Sequence, residues 1–163
     1  MIFFDSQPSD SNDYVQVIGR LDNQRVTKWI RTDYLKVPDN FYKYKVFVPA
    51  ANGSGELGET LSTPLIGRTE LFISIGSFDT ELEAQNLLKY VKTKFARGML
   101  GVLKVTQHNP PAKWAKVPLE DFTEHSDVDW SVPIGKIDEQ LYRKYGFNQK
   151  QIDFFEEKVQ EMK

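Results

Sequence analysis

Cysteine is absent from the 163 residues, and histidine occurs only twice. Without cysteine there can be no disulfide framework, and two histidines argue against a transition-metal site. Apolar runs are short as well, since none approaches the roughly 18 residues that a membrane-spanning helix requires. The first residues, Met1 to Asp5, lack the basic region and cleavage site of a secretory signal. These absences predict a cytoplasmic protein with no membrane partner.

Charge is unevenly distributed along the chain, although the net charge is only −2. The stretch from Lys89 to Lys116 contains seven basic residues and no acidic one, whereas the rest carries 14 basic and 23 acidic residues. A basic stretch within an acidic protein is typical of a phosphate-binding face. A solvated helix face whose lysines point at water has the same composition, so charge alone leaves both interpretations open.

Hydrophobic residues make up 40% of the chain, which is enough for one globular domain of ordinary size. The alternating segments 14–18 and 26–30 flank the turn residues Asp22-Asn23 and predict a β-hairpin. Residues 41–49 alternate aromatic or apolar side chains with lysine, as in a strand with one solvent-exposed face. Residues 71–75 form a continuous apolar run, which is typical of a buried strand.

One long helical segment is expected at 80–106. Thr80 and Glu83 have the spacing of a capping box at its start. Apolar residues then recur near a helical period, with Gly98 and Gly101 as weak points or positions of tight packing. This segment should lie on one face of the sheet.

The C-terminal part is predicted to begin with a short strand and to end in helices. Pro110-Pro111 should exclude a helix, and 113–119 is interpreted as a strand. Gly146 should end one helix and Asn148 should cap a last one. The order of elements predicts an α+β domain, a mixed or antiparallel sheet with a long helical segment on one face and a small C-terminal helical tail. Its expected core residues are Leu71, Ile73, Ile75, Leu87, Leu88, Val91 and Phe95.

Three short motifs suggest catalysis or cofactor binding, but their surroundings argue against it. Gly53 to Gly58 has the letters of a dinucleotide-binding loop, yet no apolar helical period follows it. Asn109 to Ala112 resembles the tetrapeptide of amino-methyltransferases, but Ala112 cannot stack on a flipped base. Glu156-Glu157-Lys158 has the letters of a nuclease site and lies on an amphipathic helix, where alternating charges usually mean a solvated face. No catalytic, cofactor-binding or metal-ligating residue is predicted.

The stretch from Lys89 to Lys116, called the acid-free stretch below, is the remaining candidate site, and it would bind DNA. Lysine and arginine suit phosphates, whereas threonine, glutamine and asparagine can bond base edges. The predicted contacts are Lys92, Lys94, Arg97, Lys104, Thr106, Gln107, His108, Asn109 and Lys113.

A second, weaker basic cluster is interleaved with aromatic residues that are better explained by hairpin packing than by base stacking. Its members are Arg25, Lys28, Arg31, Lys36, Lys43 and Lys45, with Trp29, Tyr34, Tyr42 and Tyr44 between them.

Several long segments are similar to one bacterial family, from about Tyr14 to the C-terminus. The family comprises the adenine-N6 DNA methyltransferases of type II and IIG restriction–modification systems, including fused methylase–endonuclease polypeptides. The similar part is the target-recognition (specificity) domain that follows the methylase. The segments that carry the resemblance are Lys43 to Pro49 with Ala51 to Gly55, Phe72 to Thr80, Leu88 to Arg97, Leu103 to Gln107, Trp114 to Phe122 and Leu141 to Gly146.

The resemblance implies sequence-specific recognition of double-stranded DNA, with no chemistry performed by this chain. Methylation or cleavage would come from a methylase or endonuclease module, fused or separate, and S-adenosylmethionine and magnesium are expected only there. Two departures are evident, because the methylase portion is missing and Pro64 to Thr69 is shorter than the corresponding loop. The alternative is a catalytic fragment, a nuclease or methylase remnant of the same system.

The domain organisation expected from these observations has three parts. Residues 1–13 form a loose N-terminal segment, 14–122 the α+β target-recognition domain, and 123–163 a helical extension packed on it.

Overall fold

A computed structural model describes residues 1–50, 60–62, 64–69, 71–102, 111–115 and 117–159. The strands in these ranges are β1 (Tyr14–Leu21), β2 (Gln24–Arg31), β3 (Tyr44–Pro49), β4 (Thr60–Ser62), β5 (Ile66–Arg68) and β6 (Phe72–Phe78). The helices are α1 (Glu81–Lys92), α2 (Lys94–Val102), α3 (Pro111–Trp114), α4 (Ile134–Lys144) and α5 (Gln149–Lys158), with a 3-10 turn at Thr32–Tyr34. The glycine loop predicted at 53–58 lies outside the described residues.

The first sheet has the strand order β2-β1-β5 and confirms the predicted hairpin. β1 and β2 pair antiparallel over their full length. The turn residues Asp22 and Asn23 have φ values of 49° and 62°, the left-handed pair that a type I′ turn requires. Phe4, within the segment expected to be loose, exchanges two backbone hydrogen bonds with Trp29 (2.9 and 2.8 Å). Because β5 joins β1 in parallel, the sheet is mixed.

The second sheet, β4-β3-β6, is antiparallel, and its central strand is buried on both faces. Residues 45–49 are all buried, so the prediction of a solvent-exposed face on this strand is wrong. The alternating lysines suggest an exposed face. Lys45 can nevertheless be buried, because its ammonium donates hydrogen bonds to the carbonyls of Phe41 (3.1 Å) and Lys43 (3.2 Å). Burial lowers the pKa of Lys45 to about 8.

β6 is the apolar strand predicted from 71–75, with one correction. Leu71 precedes the strand and is 48% exposed, so its assignment to the core is wrong. Phe72 is buried instead, against Ile18 and Phe47, because both faces of the strand are covered. The other predicted core residues belong to one cluster, in which Ile75 and Leu88 are partly buried and Ile73, Leu87, Val91 and Phe95 are buried.

Thr93 divides the long helix predicted at 80–106 into α1 and α2. Its backbone is extended, with φ −62° and ψ 149°, and its buried hydroxyl accepts the backbone N–H of Ala96 (3.0 Å). This residue therefore ends α1 and caps α2. Residues 103–106 lie outside the described part of the chain.

The other helix ends follow local sequence signals and confirm the predictions. The Thr80 hydroxyl accepts the backbone N–H of Glu83 at the start of α1. Asn148 caps α5 in a reciprocal box with Gln151, in which each side chain accepts the other residue's backbone N–H. Gly146, with φ 65°, follows the end of α4, as expected where a helix stops in a left-handed residue.

α3 replaces the beginning of the strand predicted at 113–119, and none of the described residues in 117–119 is in a strand. Pro111 is the first residue of this single turn. At that position proline's missing N–H costs no helical hydrogen bond, and its fixed φ is already helical. Pro111 therefore starts a helix, although it was expected to exclude one.

One hydrophobic cluster joins the second sheet to the longer helices. It includes buried residues of β3, β6, α1, α2, α4 and α5, and of the segment between α3 and α4. α1 lies against β3 and β6 on one side, while Ile18, Phe47 and Phe72 form a smaller cluster on the other. The fold class is α+β as predicted, and the described strands form two three-stranded sheets in place of one. Within the described ranges, every helix is too short or too polar to traverse a lipid bilayer.

Candidate nucleic-acid interface

Three of the nine predicted DNA contacts have described side chains, and all three lie at the junction of α1 and α2. Lys92 ends α1, Lys94 begins α2, and Arg97 follows one turn later. The backbone of Lys113 lies in α3, but its side chain is outside the described part of the chain. The remaining five predicted contacts are also outside it: Lys104, Thr106, Gln107, His108 and Asn109.

The three side chains line one open cleft of about 910 Å³. α4 contributes Lys136 and Arg143 to the same cleft, which brings the basic residues in its described lining to five. The acidic residues that line it are Asp138, Glu139 and Glu156. On a chain whose net charge is −2, the described lining of this cleft has an excess of positive charge, as expected for an anion-binding surface.

Lys136 and Arg143 were missed by the sequence analysis because they lie outside the acid-free stretch. They are seven residues apart on α4, a separation of two turns that puts both on the same face. This spacing is a usable signal only after the packing of α4 on α2 is known. The charge pattern does not select them, because acidic Asp138 and Glu139 lie between them.

Asp138 holds the start of α2 against α4. Its carboxylate is buried and accepts the backbone N–H groups of Phe95 (2.8 Å) and Lys94 (3.1 Å). These N–H groups belong to the first turn, where no helical acceptor is available. Burial raises the pKa of Asp138 to about 6, against the opposing effect of the two hydrogen bonds. The placement of the basic junction therefore depends on an acidic residue of another helix.

Arg97 contributes to the fold as well as to the cleft. It is only 7% exposed, and its Nε donates to the carbonyl of Lys92 (3.2 Å). Burial lowers the pKa of Arg97, while nearby Asp138 and Tyr142 favour its charged form. Because most of this guanidinium is covered, the half-buried lysines at the junction are better placed than Arg97 to reach a ligand.

Among the described residues, carboxylates form ion pairs with Lys94 and Lys136 of the cleft. The Nζ of Lys94 lies 2.5 Å from Glu156, and the Nζ of Lys136 lies 2.8 Å from Glu139. Glu156 also accepts a hydrogen bond from the Tyr142 hydroxyl (3.0 Å). An incoming phosphate has to compete with these carboxylates, so the ion pairs weaken the binding of any anion here.

The second basic cluster is largely engaged within the fold. Lys45 is buried, and three other members form ion pairs: Lys28 with Asp5, Arg31 with Asp33 and Lys43 with Asp79. The Arg31 guanidinium also lies 5.3 Å from the ring centre of Tyr34. These contacts favour packing and surface pairing over base stacking in this cluster.

Within the described residues, no group of three or more acidic or histidine side chains is arranged to hold a metal ion. No family model matches the chain, and comparisons with curated proteins and with solved structures gave no match.

Proposed function

We propose that this chain recognises double-stranded DNA for a bacterial restriction–modification enzyme of the adenine-N6 methyltransferase type. The observation that carries the proposal is the convergence of Lys92, Lys94 and Arg97 with Lys136 and Arg143 on one open cleft. The resemblance of long segments to target-recognition domains supports it. So does the acid-free stretch that continues from this cleft along the chain.

The chemistry of the side chains assigns phosphate contacts and base reading to different residues. Lysine and arginine of the cleft contact phosphates, which positions the duplex without reading its sequence. Base reading belongs to Thr106, Gln107 and Asn109, whose side chains can bond base edges in a groove. Binding through the cleft releases counterions from the DNA, so affinity should fall steeply as the salt concentration rises.

Methyl transfer and strand cleavage belong to a methylase or endonuclease module, fused to this chain or separate from it. S-adenosylmethionine and magnesium bind in that module. The complex works in the cytoplasm, where it meets DNA. In this arrangement the chain directs the chemistry to a sequence and performs none of it.

Two charge changes of opposite sign test the cleft, with fluorescence anisotropy on a labelled pool of random duplexes as the measurement. Lys92→Ala should lower the log–log salt slope by about one unit if its ammonium contacts a phosphate. Glu156→Gln removes a carboxylate that competes for Lys94 and retains an acceptor for Tyr142. It should tighten binding about fivefold, the equivalent of about 1 kcal/mol of competing ion pair.

Lys150→Ala on α5 is the matched control, because this exposed lysine is not among the residues that line the cleft, and its salt slope should equal that of the wild type. A gain of affinity in Glu156→Gln is informative because damage to the fold would lower affinity. If Lys92→Ala and Glu156→Gln both bind like the wild type, the cleft is not the DNA site. Methylation or cleavage by the isolated chain would instead favour the catalytic-fragment alternative.

A further inference from the structure

The tip of the β1–β2 hairpin projects beyond the rest of its sheet. β5, the third strand, pairs with β1 only from Gln16 to Ile18. Residues 20–25, which surround the turn, are all exposed. The tip is therefore a two-stranded ribbon with solvent on both faces.

Two arginines lie directly opposite each other at this tip. The register of the hairpin pairs Arg20 with Arg25, so both side chains leave the same face of the ribbon. Like charges at directly opposite positions destabilise a sheet. Arg20 has no ion pair within the described residues. Two guanidinium groups on one face of an exposed ribbon can contact phosphates along a DNA strand.

The neighbouring residues add the chemistry of base recognition. Asn23 and Gln24 are exposed at the turn, between the two arginines in sequence. Their amides can each bond adenine bidentately in the major groove, which is wide enough for a two-stranded ribbon. Asp22 is the one carboxylate of the tip, so the tip retains net positive charge.

We propose that this tip enters the major groove of duplex DNA, with Arg20 and Arg25 on phosphates and Asn23 and Gln24 at base edges. The inference rests on the proposed DNA recognition and assigns a reading element that is separate in sequence from the acid-free stretch. The hairpin would act in addition to the cleft, as a second contact with DNA.

The test compares matched variants of the 163-residue chain on randomised 30-base-pair duplexes at low salt. Arg20→Ala combined with Arg25→Ala should lower the log–log salt slope by about two units, because two phosphate contacts are lost. Arg20→Lys combined with Arg25→Lys keeps both charges and should keep the slope. Lys150→Ala combined with Lys158→Ala on α5 removes the same charge elsewhere and should also leave the slope unchanged.

Asn23→Gly separates base reading from folding. Glycine retains the left-handed conformation of the type I′ turn but has no amide. The salt slope should therefore stay at the wild-type value, while the sequences enriched from the randomised pool should change at one or more positions.

The thermal melt of the double alanine variant distinguishes loss of contact from loss of fold. Its midpoint should stay close to that of the wild type, because both side chains are exposed at the tip and belong to neither hydrophobic cluster. Wild-type binding with an unchanged slope in this variant overturns the hairpin proposal and leaves the cleft proposal standing. Failure of the wild type to bind any duplex overturns both.

Discussion

Asp138 shows how one buried carboxylate can determine both the geometry and the pH response of a site. It accepts two N–H groups at the start of α2 and lies close to Arg97, which favours its charged form, and to Glu156, which opposes it. Burial dominates, and the pKa of this carboxyl in the folded protein is about 6, above its ordinary value of 3.8. The folded state therefore binds more protons than the unfolded state between these two pH values.

Asp138→Asn should reveal this linkage as a pH-dependent difference in stability. Because the folded-state pKa is raised, the contribution of Asp138 is fully present below about pH 3.8 and is lost as pH rises through 6. The wild type should thus lose about 3 kcal/mol relative to the variant between pH 3.5 and pH 7, since one pKa unit corresponds to about 1.36 kcal/mol. Urea unfolding of both proteins across this range measures the difference, and a constant difference would contradict the assignment.

Gly98 and Gly101 lie in the same helix, yet alanine should have opposite effects at the two positions. A Cβ on Gly98 would lie 2.7 Å from the ring of Phe155, whereas no atom of the described residues lies within 4 Å of one on Gly101. Overpacking should destabilise Gly98→Ala by about 1–2 kcal/mol, even after the gain in helix propensity. Gly101→Ala should stabilise the protein by about 0.5 kcal/mol. Chemical denaturation measures both, and equal shifts would show that α5 does not pack on α2 in this way.

At the scale of elements, the sequence predicts those turns and helix ends that depend on local interactions. The Asp22-Asn23 turn and the caps Thr80 and Asn148 depend on residues a few positions away, and the structure confirms them. Leu71 and Lys45 were assigned to the wrong environments because their burial depends on which layers cover β3 and β6. Whether a residue near a strand end is covered is a tertiary property that alternation alone does not contain.

The candidate site likewise combines residues that the sequence predicts with residues that only the packing of the helices brings together. Lys92, Lys94 and Arg97 were selected because charge is a property of the sequence, and they do line one cleft. Lys136 and Arg143 join them only through the packing of α4 against α2, about 40 residues along the chain. The burial of Arg97 likewise depends on the break at Thr93, which the apolar period of the helices conceals.

The capping box of α5 gives a test at the same scale. Asn148→Ala removes the acceptor for the Gln151 N–H (2.9 Å) and should destabilise the protein by about 1 kcal/mol. Asn148→Ser retains a capping oxygen and should differ from the wild type by a few tenths of a kcal/mol. Thermal melts followed by circular dichroism report both variants. If Asn148→Ala left the melting temperature unchanged, α5 would fray independently of the global transition.

At the scale of the whole molecule, one hydrophobic cluster spans the boundary expected at residue 122. Val128, Trp130, Ile137, Leu141 and Phe155 lie in the same cluster as buried residues of β3 and α1. The helical extension therefore supplies part of the core that the sheet needs.

A chain ending at Phe122 should lack a cooperative thermal transition, because it exposes the cluster that 123–159 covers. Deleting Ile2 and Phe3, which are 53% and 47% exposed, is the control and should preserve a cooperative melt. Calorimetry on both deletions distinguishes them. A cooperative melt of the 1–122 chain would identify 123–163 as a separate folding unit.

The position of β3 between two apolar layers also determines the order in which backbone hydrogens exchange with heavy water. Its amides bond to β4 and β6 under cover on both faces, so deuterium should reach them only when the entire molecule opens. The hairpin tip at 20–25 is exposed and can exchange through local fraying. Mass spectrometry of peptic fragments should detect deuterium in the tip within the first time points and in Val46 to Val48 last.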